Sequence, residues 1–493
     1  MAMTAKQAVE MNLLKTKWEA DQARQKEAQE KLDIYMDDFK EIVERKISEL
    51  FHPDTVKRLR YHVNQSQNIL KRVINEISTI YKGEAQRALD PESVRYDEIK
   101  KLNNLDIIGK KVNRYTNLLN ETLVKVGFRD GRIAYDIITP NICTVIQNEQ
   151  DPTKADAIIY TVTQANTRGS TKIRYHYWSL DGDYLIFDES FRIVGKIYDS
   201  DDRTGELRPY PYIDPDTKRY ILPFVISHKQ APDSAFWDQD SGRDLYNAAI
   251  MTAIKMTLFD YYFKVGSFKQ IYLIGDESDM PGDQVLDPLT VLRGTGEGAA
   301  IGVLDREVNM KQLQEAIIFQ LNSIINNYGI SADQWTLSIA EMSGIALRIR
   351  NMPLMEIRED QIPFYRQFER DLFKVTRIVN NAHLVGKAQV IPEKAEFSVD
   401  FAEIVFPEDP IAALKHSTEQ LKAGLISLGQ FYMIFNPDEK DEKAAEKRII
   451  DNLSKIQEAR KKYPDLDQLL MAIVGIAEEE PGGEGAPAAG GGE

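Results

Sequence analysis

"SGRDLYNAAIMTAIKMTLFDYYFKVGS", residues 241–267, reads as a helix that is apolar around nearly its whole circumference. A helix of that kind is normally buried on most sides. Downstream, "REVNMKQLQEAIIFQLNSIINNYG" (306–329) reads as a second helix, with Leu313, Ile317, Leu321, Ile324 and Tyr328 on one stripe. Between the two, residues 268–305 are punctuated by Gly and Pro and hold two short β-type runs, "KQIYLIG" (269–275) and "AAIGVLD" (299–305). The order predicts a helical hairpin with a β tip.

The next stretch, "EMSGIALRIRNMPLMEIREDQIPFYRQFERDLFKV" (341–375), has the pattern of one long amphipathic helix containing Pro353 and Pro363. A proline in a helix interior removes a donor and crowds the carbonyl four residues earlier, at a cost of about 3 kcal/mol. Phe364, Phe368, Leu372, Val375 and Ile378 keep one stripe past Pro363. The expectation is therefore a kinked spine with the prolines as hinges. Running from Ser343 to residue 386, it would span roughly 66 Å, too long for one compact core. "AEFSVDFAEIVFPEDP" (395–410) then alternates like a strand.

Upstream, residues 1–50 are charged and helical in pattern, and 9–31 carry few large apolar side chains. That segment reads as a solvated helix or as an arm lying on a partner. "DDFKEIVERKISELF" (37–51), "SQNILKRVINEISTIY" (66–81) and "LDIIGKKVNRYTNLLNETLVKVG" (105–127) carry a helical pattern as far as Gly127. A β-rich block follows, with "GRIAYDIITPNICTVIQNE" (131–149), "YHYWSLDGDYLIFD" (175–188) and "RYILPFVISHK" (219–229). Asp181-Gly182 between two aromatic runs signals a hairpin. At the other end, helices are expected at 410–424 and 439–476, split by "ISLGQFYMIFNPDEKD" (426–441). The Gly, Ala, Pro and Glu tail from 478 reads as disordered.

The totals narrow the class. With 43% hydrophobic and 9% aromatic residues, the 493-residue chain has material for sizeable cores. The formal charge is -15, from 62 basic and 77 acidic residues. That balance argues against tight, static, non-specific binding of nucleic acid, which needs a basic face. One cysteine, Cys143, permits no intrachain disulfide and no thiolate-rich metal site, and it reads as a small buried hydrophobe. The N-terminal segment lacks the apolar core of a signal peptide, and no window reaches 18 uncharged apolar residues. The expectation is folding in a cytosol, without a membrane span.

Catalytic patterns are missing. There is no phosphate-loop, His-Glu-x-x-His or Gly-x-Ser-x-Gly motif. "GTGEGAAIG" (294–302) lacks dinucleotide-fingerprint spacing and reads as a flexible loop. The six histidines have no metal-ligand spacing. Acidic turns at 199–203 and 406–410 are better read as solvated turns than as cation sites, although Asp201 and Asp202 would carry any metal-dependent hydrolysis. No enzyme, cofactor or metal is expected.

Several phrases carry a resemblance: "QNILKRVINEISTIYKGE", "ITPNICTVIQNE", "YHYWSLDGDYLIFD", "ILPFVISHKQAPDSAFW", "SGIALRIRNMPL" and "FPEDPIAALKHSTEQLKAGLISLGQFYMIF". Together with the order helix, β tip, helix, short loop, long helix, the chain resembles the portal proteins of tailed double-stranded DNA bacteriophages over roughly residues 60–460. It resembles them as a pattern of segments rather than by one sharp motif. The implied fold is α+β and helix-dominated, with wing, stem, clip and crown. The resemblance places the wing at 51–240, the stem helices at 241–267 and 308–330, and the clip at 268–307. It places a tunnel loop at 331–342, a long kinked wing helix with its strand at 343–409, and a helical crown at 410–477. The arm (1–50) and the tail (478–493) have no counterpart.

The function so implied is a closed ring of about twelve subunits at a capsid vertex. Double-stranded DNA would pass through it during packaging and ejection. The implied partners are the terminase, head-completion or adaptor proteins, and the major capsid or scaffolding protein. Assembly would take place in the host cytoplasm and the final location would be the virion. An acidic chain suits a channel that must let DNA slide, since a strongly basic lining would hold it. Candidate lumen contacts are Gln334, Trp335 and Ser338 in the tunnel loop, Lys311 at the start of the second stem helix, and Lys264 and Lys269 near the clip. The plainer readings are solvated lysines and a Trp335 packed on a helix. The alternative function is another helical structural or adaptor protein of a virion, without a DNA channel.

Overall fold

The computed structural model describes residues 5–165, 171–181, 184–195, 199–200, 207–208, 212–237, 242–266, 270–274, 300–304, 310–330, 351–384, 390–402, 410–436, 439 and 441–463. The chain divides into two compact units, 1–340 with 348–405, and 341–347 with 406–493. Helix and sheet are mixed throughout the first unit.

The first unit begins with α1 (Ala5–Ala20) and α2 (Gln22–Tyr35). Neither is a solvated arm. Leu14 packs against Leu185 and Phe187, and Trp18 against Ile159 and Phe191, so the arm lies on its own chain. The sequence pattern underrates this contact because two well-placed apolar residues, spaced four apart on one helix face, are enough to dock it.

Next come α3 (Lys40–Leu50), α4 (Pro53–Leu59) and α5 (Ile69–Ile77). The Asn68 side chain caps α5 by accepting from the Lys71 N–H at 2.9 Å. Strand β1 (Ala85–Asp90) precedes α6 (Val94–Asn103) and α7 (Leu105–Leu119). The helical pattern expected to reach Gly127 stops at Leu119. Asn120 has φ +72, a left-handed conformation that ends the helix, and β2 (Glu121–Arg129) starts at once. Thr122, Val124 and Val126 supply the β-branched alternation that favours the strand.

The β block follows as β3 (Arg132–Ile138), β4 (Cys143–Gln147), β5 (Ala155–Ala165), β6 (Thr171–Ser179), β7 (Tyr184–Phe187) and β8 (Ile193–Gly195). Short strands β9 (Asp199–Ser200), β10 (Leu207–Arg208), β11 (Tyr212–Ile213) and β12 (Tyr220–Ile221) lead to β13 (Phe224–His228). One antiparallel sheet has the order β13-β2-β3 and another β4-β5-β6-β7-β8. The hairpin expected at Asp181-Gly182 is the β6–β7 pair, with Trp178 opposite Tyr184. Cys143 is fully buried, and burial pushes its thiol up to about 12, so it packs as a small hydrophobe.

Helix α8 (Arg243–Gly266), strands β14 (Gln270–Ile274) and β15 (Ala300–Leu304), and α9 (Met310–Asn327) form the hairpin the sequence predicts. Part of the glycine cluster read as a loop, residues 300–302, lies in β15. After it, α10 (Met352–His383) crosses the unit and β16 (Glu396–Phe401) pairs antiparallel with β1. Pro353 is not an interior break. It sits in the first turn of α10, where its missing N–H has no helical partner to lose. Pro363 is inside the helix and exposed, so the Glu359 carbonyl forgoes its bond, yet the helix continues. The burial of Tyr365, Phe368, Leu372 and Val379 along the same helix outweighs that local cost.

Two cores result. One joins both larger sheets to α10 through Val124, Val126, Trp178, Phe224, Phe368 and Val379. The other joins α3, α5 and the start of α8 through Val43, Ile47, Val73, Ile74, Leu245 and Ile254. Beside the first, Glu369 accepts two bonds from the Arg87 guanidinium, at 2.9 and 2.7 Å, and one from the Tyr81 hydroxyl at 2.8 Å. Arg87 also donates to Asp106 at 2.8 Å. Burial opposes the Arg87 charge, but the Glu369 and Asp106 carboxylates outweigh it and hold the guanidinium above its ordinary range.

The second unit contains α11 (Pro410–Lys422), α12 (Leu428–Phe435) and α13 (Glu442–Lys462). Helix α12 falls in the stretch read as a separator between two helices. Its start is a capping box: the Ser427 hydroxyl accepts from the Gln430 N–H, and the Gln430 side chain accepts from the Ser427 N–H. The acidic turn at 406–409, the tail and residues 464–477 lie outside the described residues.

Candidate functional site

The site begins at the hairpin. Tyr328 donates to Asp244 at 2.8 Å and Lys255 donates to Gln320, so the chain direction of α9 opposes that of α8. Burial and the Asp244 carboxylate hold the Tyr328 phenol well above its usual range, which keeps it a donor at any ordinary pH. At the far end β14 and β15 pair antiparallel, Gln270 opposite Leu304 and Ile274 opposite Ala300.

The base of the hairpin is fixed in three ways. Leu245, Ala249, Ile250, Ala253 and Ile254 of α8 are buried against α3 and α5. Asn64, in the loop before α5, donates its backbone N–H to Thr257 Oγ1 at 3.0 Å and its side-chain amide to Asp260. Gly329, at φ +67, ends α9 against the start of α10; a Cβ there would lie 2.9 Å from Ile357 Cδ1 and 3.1 Å from the Pro353 carbonyl carbon. Only glycine satisfies both the backbone angle and that approach.

In the last turns of α8 and at the middle of α9 the same two helices change character. Tyr262, Phe263, Ile318 and Phe319 are exposed, Phe263 at 63% and Phe319 at 75%. They are large and lie in two pairs on adjacent helices. Ile318 and Phe319 fall off the stripe 313/317/321/324/328, and that displacement was the available sequence signal. Asn64 had none, because its partners lie far along the chain.

Among the candidate DNA contacts, Lys264 lies in the last turn of α8 and Lys311 in the first turn of α9, both exposed and both at the β14–β15 end. Lys311 sits 3.9 Å from Glu315 on its own helix. Such an exposed pair contributes little to stability and leaves the ammonium available to a phosphate. Lys269, Gln334, Trp335 and Ser338 lie outside the described residues. The structure therefore brings two of the six candidates to one end of the hairpin. No cluster of three or more metal-ligating side chains occurs among the described residues, and no described helix is long and apolar enough to cross a membrane. Asp201 and Asp202 are not among those residues.

Neither the known protein-family models nor the curated proteins include a match to this chain. Solved structures do. A chain from the virion of a native gene transfer agent (GTA) particle is similar with TM-score 0.37 and 12% identity, over 78% of this chain and 94% of that one. A chain from the neck of an empty GTA particle, computed with C6 symmetry, has TM-score 0.40 and 11% identity, over 78% and 94%. A chain from the neck of a native GTA particle, computed with C12 symmetry, has TM-score 0.39 and 10% identity, over 78% and 93%. The chain is thus similar to virion and neck chains, at TM-scores below 0.5 that decide neither its fold nor its function.

Proposed function

We propose that the chain is a portal-type, ring-forming virion protein, a conduit for double-stranded DNA and not an enzyme. The observation that carries this reading is the uneven burial of one hairpin. The same helices are buried against α3 and α5 and present Tyr262 and Phe263 in the last turns of α8 and Ile318 and Phe319 half-way along α9. In a closed, head-to-tail ring, each copy covers the exposed aromatics of its neighbour with a different face, and no such face is left over. The segment order is that of the portal resemblance, with α8 and α9 as stem, the β14–β15 pair in the clip, α10 as the wing helix and α11–α13 as crown. The ring has about twelve copies in this reading. Lys264 and Lys311 touch passing phosphates transiently, as does the 331–342 segment. Terminase and adaptor proteins dock on its two ends during packaging and ejection, at a capsid vertex.

Single-particle images of the purified full-length chain, with its native mass, test the proposal. The expected result is a closed ring with an axial channel. A chain that remains monomeric across ionic strengths, or that forms a dimer without a channel, overturns the proposal and favours a helical adaptor protein instead.

A further inference from the structure

Among the described residues the chain passes four times between the two cores of the first unit, and each passage runs through polar side chains. α5 ends at Ile77 in the core that holds the hairpin base, and the chain enters the sheet-bearing core at Ile80, with Ser78 and Thr79 between. α7 leaves the sheet-bearing core at Val112 and enters the other at Leu118, and the buried positions between are Asn113, Thr116 and Asn117. The chain returns from Leu119 to Leu123 through Asn120, Glu121 and Thr122, all buried. α10 runs from Leu354 in the hairpin-bearing core to Tyr365 in the sheet-bearing one, and the buried positions between are Arg358 and Gln361.

These polar residues meet. Asn113 Nδ2 donates to Gln361 Oε1 at 3.4 Å, Gln361 Nε2 to Asn117 Oδ1 at 3.3 Å, and Asn117 Nδ2 to Ser78 Oγ at 3.1 Å. An uncharged chain of hydrogen bonds therefore ties α10 to α7 and α7 to the end of α5. Each bond is longer than the usual value of about 2.9–3.0 Å. A carboxamide carries two donors and an acceptor oxygen with two lone pairs, so it can exchange one partner for another as helices shift. Interlocked apolar side chains resist displacement instead, because the interior is close-packed.

The backbone is interrupted at the same level. α5 has ended at its Ser78 cap. Asn120 stands at φ +72 between α7 and β2. Pro363, two residues past Gln361, leaves the Glu359 carbonyl without its helical bond. Of the four passages, the one along α7 is uninterrupted helix.

We propose that this polar layer is a hinge between two bodies of the first unit, with α7 as its pivot. One body carries α3, α5 and the base of the α8–α9 hairpin; the other carries the two larger sheets and the second half of α10. The hairpin tilts against the sheets as Asn113, Asn117 and Gln361 exchange amide partners and α10 bends at Pro363. The hinge does not depend on ring formation.

Spin-label distance measurements on the full chain test it, and the one native thiol, Cys143, is buried away from the label. A pair at Asn326→Cys and Arg370→Cys spans the layer, and a pair at Ser48→Cys and Asn326→Cys lies within one body; all three sites are exposed. Labelled chain is diluted with unlabelled chain, so that distances within one chain are read. The expected result is a broader distance distribution for the spanning pair than for the pair within one body. Pro363→Ala restores an N–H for the Glu359 carbonyl, and Gln361→Leu replaces the exchangeable amide with an apolar side chain. Each is expected to remove the excess width. Pro363 is exposed, so its variant keeps the fold even where Gln361→Leu does not. A spanning pair as narrow as the other means one rigid body and overturns the proposal. So does excess width that persists in folded Pro363→Ala, which puts the motion elsewhere.

Discussion

Two sets of residues on the α8–α9 hairpin are similar in kind and buried to opposite degrees. Leu245, Ala249 and Ile254 of α8 and Ile325 of α9 are at most 2% exposed. Phe263, near the β14–β15 end, and Phe319, half-way along α9, stand largely in solvent. Hydropathy alone treats these residues alike. The difference is whether the chain folds something over them. Where it does, they contribute to the stability of the monomer; where it does not, they are available to another molecule.

The contrast can be broken from the buried side first. Arg87→Ala leaves Glu369 charged, 2% exposed at its side chain and without its bidentate partner. The expected loss is about 3–5 kcal/mol in denaturant unfolding. Ile254→Ala removes a buried side chain at the hairpin base, with an expected loss of about 2–5 kcal/mol by the same measurement.

A third test uses pH. Burial, reinforced by the nearby Lys125 charge, lowers the His176 pKa to about 4, and its Nδ1 lies 3.0 Å from the Tyr184 hydroxyl. The folded state thus keeps the imidazole neutral, while the unfolded chain protonates near 6.5. Stability from this group is complete above about pH 6.5 and is lost as pH falls from there towards 4. The expected loss is about 3 kcal/mol over that window. His176→Gln should flatten this part of a stability–pH profile.

The smallest effect on monomer stability is expected at the exposed aromatics. Phe319→Ser should change unfolding free energy by no more than about 0.5 kcal/mol, while shifting native mass from the proposed ring towards monomer. A large loss of monomer stability would erase the distinction between the two sets. Unchanged assembly would sharpen it differently, by assigning the exposed aromatics to a partner other than a second copy.

Elements with a long, clean period were legible: α3, α5, the β6–β7 hairpin, α8, α9, the body of α10 and β16. The misreadings have separate causes. The run through Gly127 kept a helical spacing of apolar residues, but the left-handed backbone at Asn120 turned it into a strand that pairs with β3 and β13. Pro353 looked like an interior break because the helix was started too early. Helix α12 is short, and its capping box, Ser427 with Gln430, was the signal to read. Strand β1 went unseen because its partner, β16, lies some three hundred residues away.

Of the site, the sequence by itself determined the hairpin, its β-type end and the positions of Lys264 and Lys311, because helical and strand periodicity are local properties. It also determined the poverty of catalytic motifs and the acidic balance. Tertiary structure alone decided which aromatic residues of the hairpin are covered, that the arm docks on its own chain, and that Ser78, Asn117 and Gln361 meet between the two cores. Burial and juxtaposition depend on segments distant in sequence, and no local pattern of residues encodes which distant segment arrives.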